Sequence, residues 1–178
     1  MEFQEVLTKR RSIRKFKDTA VDRKILLELV EQATLAPSAS NLQAWRFCIM
    51  DDPDLVRKVD MFSPGISGKP PVIIAICSDY AYAESKTSGT NYKSYGCMMD
   101  ASMAAENLML AAVDKGLGTC AIKSYNDGAV RKLLKLPEHL HLEILLTLGY
   151  PDADPKMPAR KGTDEVVFFN SWEEEKHE

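Results

Sequence analysis

No stretch of the 178 residues has the run of about 20 mostly apolar side chains that a membrane-spanning helix needs. The longest weakly polar run, Gly96 to Val113, is broken by Asp100, Glu106 and Asn107. The chain also lacks a C-x-x-C pair. Cys48, Cys77, Cys97 and Cys120 are far apart and three of them sit in apolar segments, which points to buried reduced thiols and away from disulfides or metal ligands. His139, His141 and His177 have no metal-ligand spacing, so no metal is expected. There is no excess of positive charge: 23 Lys+Arg against 26 Asp+Glu give a formal net charge of -3, whereas a general polyanion binder is more basic. The opening Met1-Glu2-Phe3-Gln4-Glu5 lacks a basic start and an apolar core, so no signal peptide is read and the cytoplasm is the expected location. What remains is 45% hydrophobic and 28% charged, the balance of one soluble globular domain over residues 1–178.

Against that background one stretch stands out. Arg10-Arg11-Ser12-Ile13-Arg14-Lys15-Phe16 puts four cations and a hydroxyl into seven residues. Guanidinium forks and ammonium groups make charge-assisted hydrogen bonds to phosphate oxygens, so a specific phosphate site is one reading and a solvated basic face is the other. A second polar segment, Ala36 to Trp45, is rich in Ser, Asn and Pro. It serves either as an ordinary connection or as a planar-ligand site, since Asn41 and Gln43 carry both donors and acceptors suited to a heterocycle edge.

The rest of the chain alternates helix and strand patterns. Residues 2–9 read as a short amphipathic helix with Phe3, Val6 and Leu7 on one face. Asp22 caps a helix bearing Ile25, Leu26, Leu29, Val30 and Ala33, closed by Pro37. Residues 46–50 form a strand and 54–61 a helix. The unbroken apolar run Pro71 to Cys77 is a strand covered on both faces. Ser78 to Tyr95 reads as a loop, either a cover over a ligand site or a surface excursion. Gly96 to Lys115 is the longest helix, with small alanines for close packing, methionines for packing contacts, and Gly116 as its left-handed end. A strand at 119–122, a helix capped by Asn126 or Asp127 and a strand at 141–150 follow. Pro151, Pro155 and Pro158 then mark an extended arm, and Glu165 to Phe169 a late strand that adds to a partner's sheet. No Gly-x-Gly-x-x-Gly fingerprint of a nicotinamide-holding Rossmann domain is present.

Taken in order, Arg10 to Phe16, Ala36 to Phe47, Gly116-Leu117-Gly118-Thr119-Cys120, and Leu136-Pro137 followed by Leu148-Gly149-Tyr150-Pro151 resemble the nitroreductase family of flavin mononucleotide (FMN) enzymes. The resemblance implies an α+β fold with a mixed, mostly antiparallel sheet flanked by helices. It implies an intertwined homodimer whose C-terminal arm, residues 151–170, reaches the other subunit, with FMN bound at the interface. It assigns Arg10, Arg11, Ser12 and Arg14 to the phosphate and ring, and Pro37, Ser38, Ser40, Asn41 and Gln43 to a loop reaching the flavin of the other subunit. Ile122, Lys123 and Ser124 become the segment whose backbone passes the reactive N5 side, and Arg160 and Lys161 a late basic pair at the phosphate. Some relatives carry a glutamate where Lys123 stands, so a more positive N5 neighbourhood is expected.

The implied activity is ping-pong transfer from NAD(P)H through FMN to an electron-poor acceptor such as a nitroaromatic or quinone. The cofactor carries the redox chemistry, so no dedicated catalytic residue is expected. Three alternatives stay open: a non-enzymatic flavin-binding protein, a specialised dehalogenase or flavin-fragmenting relative, and a nucleic-acid binder using Arg10 to Lys15.

Overall fold

The computed structural model describes residues 1–87 and 95–172. The sheet is built from β1 (Trp45–Met50), β2 (Val72–Asp79), β3 (Gly118–Ile122) and β4 (Leu140–Gly149) in the order β1-β2-β4-β3. All three strand pairings are antiparallel. Among the described residues the parallel component is a single bridge between Ser12 and Thr119, where the basic stretch lies along the outer edge of β3.

Alternation along β2 sorts the core into two halves. Val72, Ile74 and Ile76 join the cluster under α2 (Arg23–Thr34) and α5 (Gly96–Asp114), which includes Leu26, Leu29, Ala104 and Leu108. Ile73, Ala75 and Cys77 join the opposite cluster under α3 (Pro53–Met61) and α6 (Asp127–Leu133), with Val59, Val130 and Leu145. The continuous apolar run is therefore buried on both faces, and each large aliphatic side chain so enclosed stabilises by about 1.5–3 kcal/mol.

Local signals set the helix ends. The Asp22 carboxylate accepts from Lys24 N at 2.8 Å, Asp52 accepts from Leu55 N at 2.8 Å, and Asn126 accepts from Ala129 N at 3.0 Å. Gly116 ends α5 at φ +72°. In α1 (Phe3–Lys9) Val6 is buried, while Phe3 and Leu7 are exposed.

Two sequence expectations are corrected. Ser78 to Tyr95 does not begin as a loop: β2 runs through Asp79 into α4 (Tyr80–Lys86), because the Asp79 carboxylate accepts from Tyr82 N at 2.9 Å and caps the helix. Residues 88–94 of that segment, with Tyr92, lie outside the described residues. Glu165 to Phe169 is not a strand. The chain turns into α7 (Thr163–Val166), since the Glu165 side chain accepts from Gly162 N at 2.9 Å and Asp164 and Glu165 suit the positive end of a helix.

Candidate functional site

The basic stretch leaves α1 and runs extended against β3, with Ile13 N donating to Thr119 O at 2.8 Å. Two glycines permit this path. A Cβ at Gly118 would lie 2.5 Å from an Ile13 side-chain atom, and one at Gly68, which sits at φ +75°, would lie 1.9 Å from the Arg14 carbonyl oxygen. The arm after β4 folds back alongside. Lys17 N donates to Tyr150 O and Asp152 N to Lys15 O, while the Lys15 ammonium pairs with Asp152 at 3.0 Å.

Together these segments enclose a pocket of about 320 Å³ lined by Arg10, Arg11, Ser12, Arg14, Pro155, Lys156, Pro158 and Arg160. Five cations converge there. Arg10 meets a carboxylate, Glu106, at 3.3 Å. Arg11 Nη1 is spent on the carbonyls of Thr8 and Arg10, whereas its Nε is buried with no hydrogen-bond partner. Among the described residues no carboxylate pairs with Arg14, Lys156 or Arg160. A buried orphan donor amid uncompensated cations is the donor set a phosphate dianion satisfies. Of the residues singled out in the sequence, Arg10, Arg11, Ser12, Arg14 and Arg160 lie together in this lining. Lys161 is not in the lining, and Lys156, which the basic-motif reading passed over, is.

The second group of expected residues sits at the far end of β3. At a strand rise of about 3.3 Å per residue, Ile122 lies about 10 Å along the edge from Thr119. Ile122 is buried in the core and offers a ligand only its backbone, while Lys123 and Ser124 are exposed. Four interactions fix it: the Lys123 ammonium donates to the Glu143 carbonyl, Tyr125 Oη to Leu142 O at 3.0 Å, Gly65 N to Ser124 O at 3.1 Å, and Asn126 N to Phe62 O at 2.7 Å. Among the described residues nothing accepts from the main-chain N–H of Lys123 or Ser124.

The Glu143 carbonyl is available because a β-bulge makes Glu143 the extra residue of β4: Ile76 pairs with Ile144 and Cys77 with Leu142. The Glu143 side chain is 7% exposed, with Oε1 unpartnered. The Tyr80 phenol beside it is pushed up to about 12, first by burial and then by the Glu143 charge. Burial likewise pushes the Cys77 thiol up to about 12, which leaves it a protonated core side chain. All four cysteines are free thiols.

Pro37, Ser38, Ser40, Asn41 and Gln43 do not line the basic pocket. They form a separate loop around a 3-10 turn, Ala39–Asn41, in which Ser40, Asn41 and Gln43 all have φ near +50°. Left-handed backbone at a residue other than glycine costs about 1–2 kcal/mol, and such strain collects at functional sites. The loop is held from within by Ser38 Oγ accepting from Gln43 N at 3.0 Å, and from behind by the buried Asp100 carboxylate of α5 accepting from Ala39 N at 3.2 Å. The Ser40, Asn41 and Gln43 side chains stay exposed.

The nitroreductase family model matches residues 7–64 and 62–150, which span the basic stretch, the strained loop and all four strands. The chain belongs to the nitroreductase family. A solved nitroreductase family protein from Clostridium novyi NT is 31% identical, with a TM-score of 0.75, over 97% of this chain and 95% of that one. The NADH dehydrogenase of Thermus thermophilus is 26% identical over 90% of this chain and 92% of its own length. The iodotyrosine deiodinase of Thermotoga neapolitana is 28% identical over 94% and 97%. The α+β architecture with an antiparallel sheet flanked by helices is therefore that of a family of oxidoreductases.

Proposed function

We propose that this nitroreductase-family chain is an FMN-dependent oxidoreductase at which NAD(P)H and an electron-poor acceptor, a nitroaromatic or a quinone, react in turn. The observation that carries this reading is the pairing on one strand edge of a cation pocket at Thr119 with a rigid, donor-bearing main-chain segment about 10 Å away at Ile122. A ligand with a phosphate at one end and a hydrogen-bonding ring at the other fits that separation. Arg10, Arg11, Ser12, Arg14 and Arg160 would hold the phosphate, and Ile122, Lys123 and Ser124 would present backbone to the ring. When bound, FMN supplies the reversible two-electron chemistry. The chain's own part is to bind, orient and exclude water. NAD(P)H visits and leaves, because no dinucleotide-binding fingerprint holds it.

The strained loop at Pro37, Ser38, Ser40, Asn41 and Gln43 completes the ring site of a second copy in a homodimer, which accounts for its exposure and its absence from the pocket of its own chain. The Lys123 ammonium, tied to the Glu143 carbonyl, fixes the N5-side backbone. Steady-state kinetics at varied NAD(P)H and acceptor test the scheme: parallel double-reciprocal lines support it, and intersecting lines refute it. The deiodinase similarity favours reductive dehalogenation as a second reading, decided by iodide release from iodotyrosine in the presence of reductant.

A further inference from the structure

The resemblance names an adjacent basic pair, Arg160 and Lys161, as the arm's contribution to the phosphate. Only one of the two lines the pocket: Arg160 does and Lys161 does not. Of the arm, Pro155, Lys156, Pro158 and Arg160 line it, along a proline-spaced segment without helix or ladder pairing. Arg160 therefore shares the pocket wall with Lys156 and not with Lys161.

Anchoring of the arm fixes which side faces in. The Phe16–Pro151 bridge, the Asp152 N to Lys15 O bond at 2.9 Å and the Lys15–Asp152 ion pair at 3.0 Å seat the arm's first residues against the basic stretch. Pro155 and Pro158 then limit how the next turn of chain can swivel. Lys156 arrives exposed, and no carboxylate among the described residues pairs with it. Its ammonium is a compact charge on a flexible stem, suited to a phosphate oxygen that the guanidinium forks of Arg11 and Arg14 leave open.

We propose that Lys156, and not Lys161, is the second cation that the C-terminal arm brings to the phosphate pocket, where it binds a phosphate monoester. This rests on the FMN reading, and the test separates the two. Affinities for FMN and for riboflavin, which has the same ring and no phosphate, are measured on the full chain by flavin fluorescence for wild type, Lys156→Gln, Lys156→Arg and Lys161→Gln. Loss of one charge-assisted hydrogen bond predicts about tenfold weaker FMN binding in Lys156→Gln, with riboflavin binding unchanged. Lys156→Arg restores affinity, and Lys161→Gln leaves both ligands as in wild type. The unchanged riboflavin affinity shows that the variant is folded. Wild-type FMN binding that survives Lys156→Gln, or that is lost in Lys161→Gln, overturns this inference alone. A wild-type chain that binds neither flavin overturns the cofactor reading and this inference with it.

Discussion

The two ends of β3 are built on opposite principles. At Thr119 the site is made of side chains, with cations drawn from the N-terminal stretch and the arm around a pocket of about 320 Å³. At Ile122 it is made of main chain, and the side chains of Lys123 and Tyr125 serve by bonding to the β4 carbonyls of Glu143 and Leu142. A doubly charged phosphate needs formal charge and many donors, which only basic side chains supply. A flat ring needs one or two donors at fixed positions, which a stapled backbone supplies without flexible side chains. Damage at the first end should discriminate FMN from riboflavin, and damage at the second should weaken both alike.

The largest effect is expected from Gly68→Ala. The new Cβ meets the Arg14 carbonyl at 1.9 Å from a left-handed backbone, so the basic stretch must move. Strain and overpacking together should cost about 2–4 kcal/mol in chemical denaturation, and FMN affinity should fall far more than riboflavin affinity. Arg11→Gln comes next. It removes the guanidinium whose Nε lies buried without a partner, and should weaken FMN by about 10- to 100-fold while sparing riboflavin. Lys123→Met keeps the apolar stem and loses the bond to Glu143 O, so both flavins should weaken together, by about three- to tenfold, in fluorescence titration. If Lys123→Met discriminated between the two flavins, the contrast between the ends of β3 would collapse.

The smallest effect is a control away from both ends. Arg23 holds the Asp51 carboxylate below its ordinary range, chiefly by their hydrogen bond. A depressed carboxylate contributes stability above its unfolded value near pH 4, and that contribution is lost as the pH falls through the lower folded value. Arg23 is exposed and Asp51 half-buried at the surface, so Asp51→Asn should cost about 1 kcal/mol or less at neutral pH and leave both flavin affinities alone. Denaturation midpoints at neutral and acid pH measure it.

Much of the fold was legible because its signals are local. The Asp22 and Asn126 caps, the left-handed Gly116 and the unbroken Val72–Cys77 run each depend on residues within a turn of one another. The tail misled because Val166 to Phe169 has strand composition, yet Asp164 and Glu165 just before it favour a helix start. The polar stretch after Ser78 misled in the same way, its Ser- and Thr-rich second half masking the Asp79 cap.

For the site, the cations of the N-terminal stretch were visible as a motif, whereas Lys156 depends on which way an irregular arm faces. The main-chain end was least legible, because every residue except proline has an N–H and only the fold shows which ones are left unbonded. The Glu143 bulge and the Asp100 anchor of the strained loop join residues 20 and 61 positions apart, beyond the reach of any local pattern.

The most direct test of the central claim is the near-ultraviolet and visible absorbance of the purified protein, reconstituted with FMN if colourless, followed by anaerobic addition of NADH and then NADPH. The account predicts a two-banded flavin spectrum that bleaches with at least one of the two nucleotides. A protein that takes up no FMN, or whose bound flavin keeps its colour with both, would contradict it.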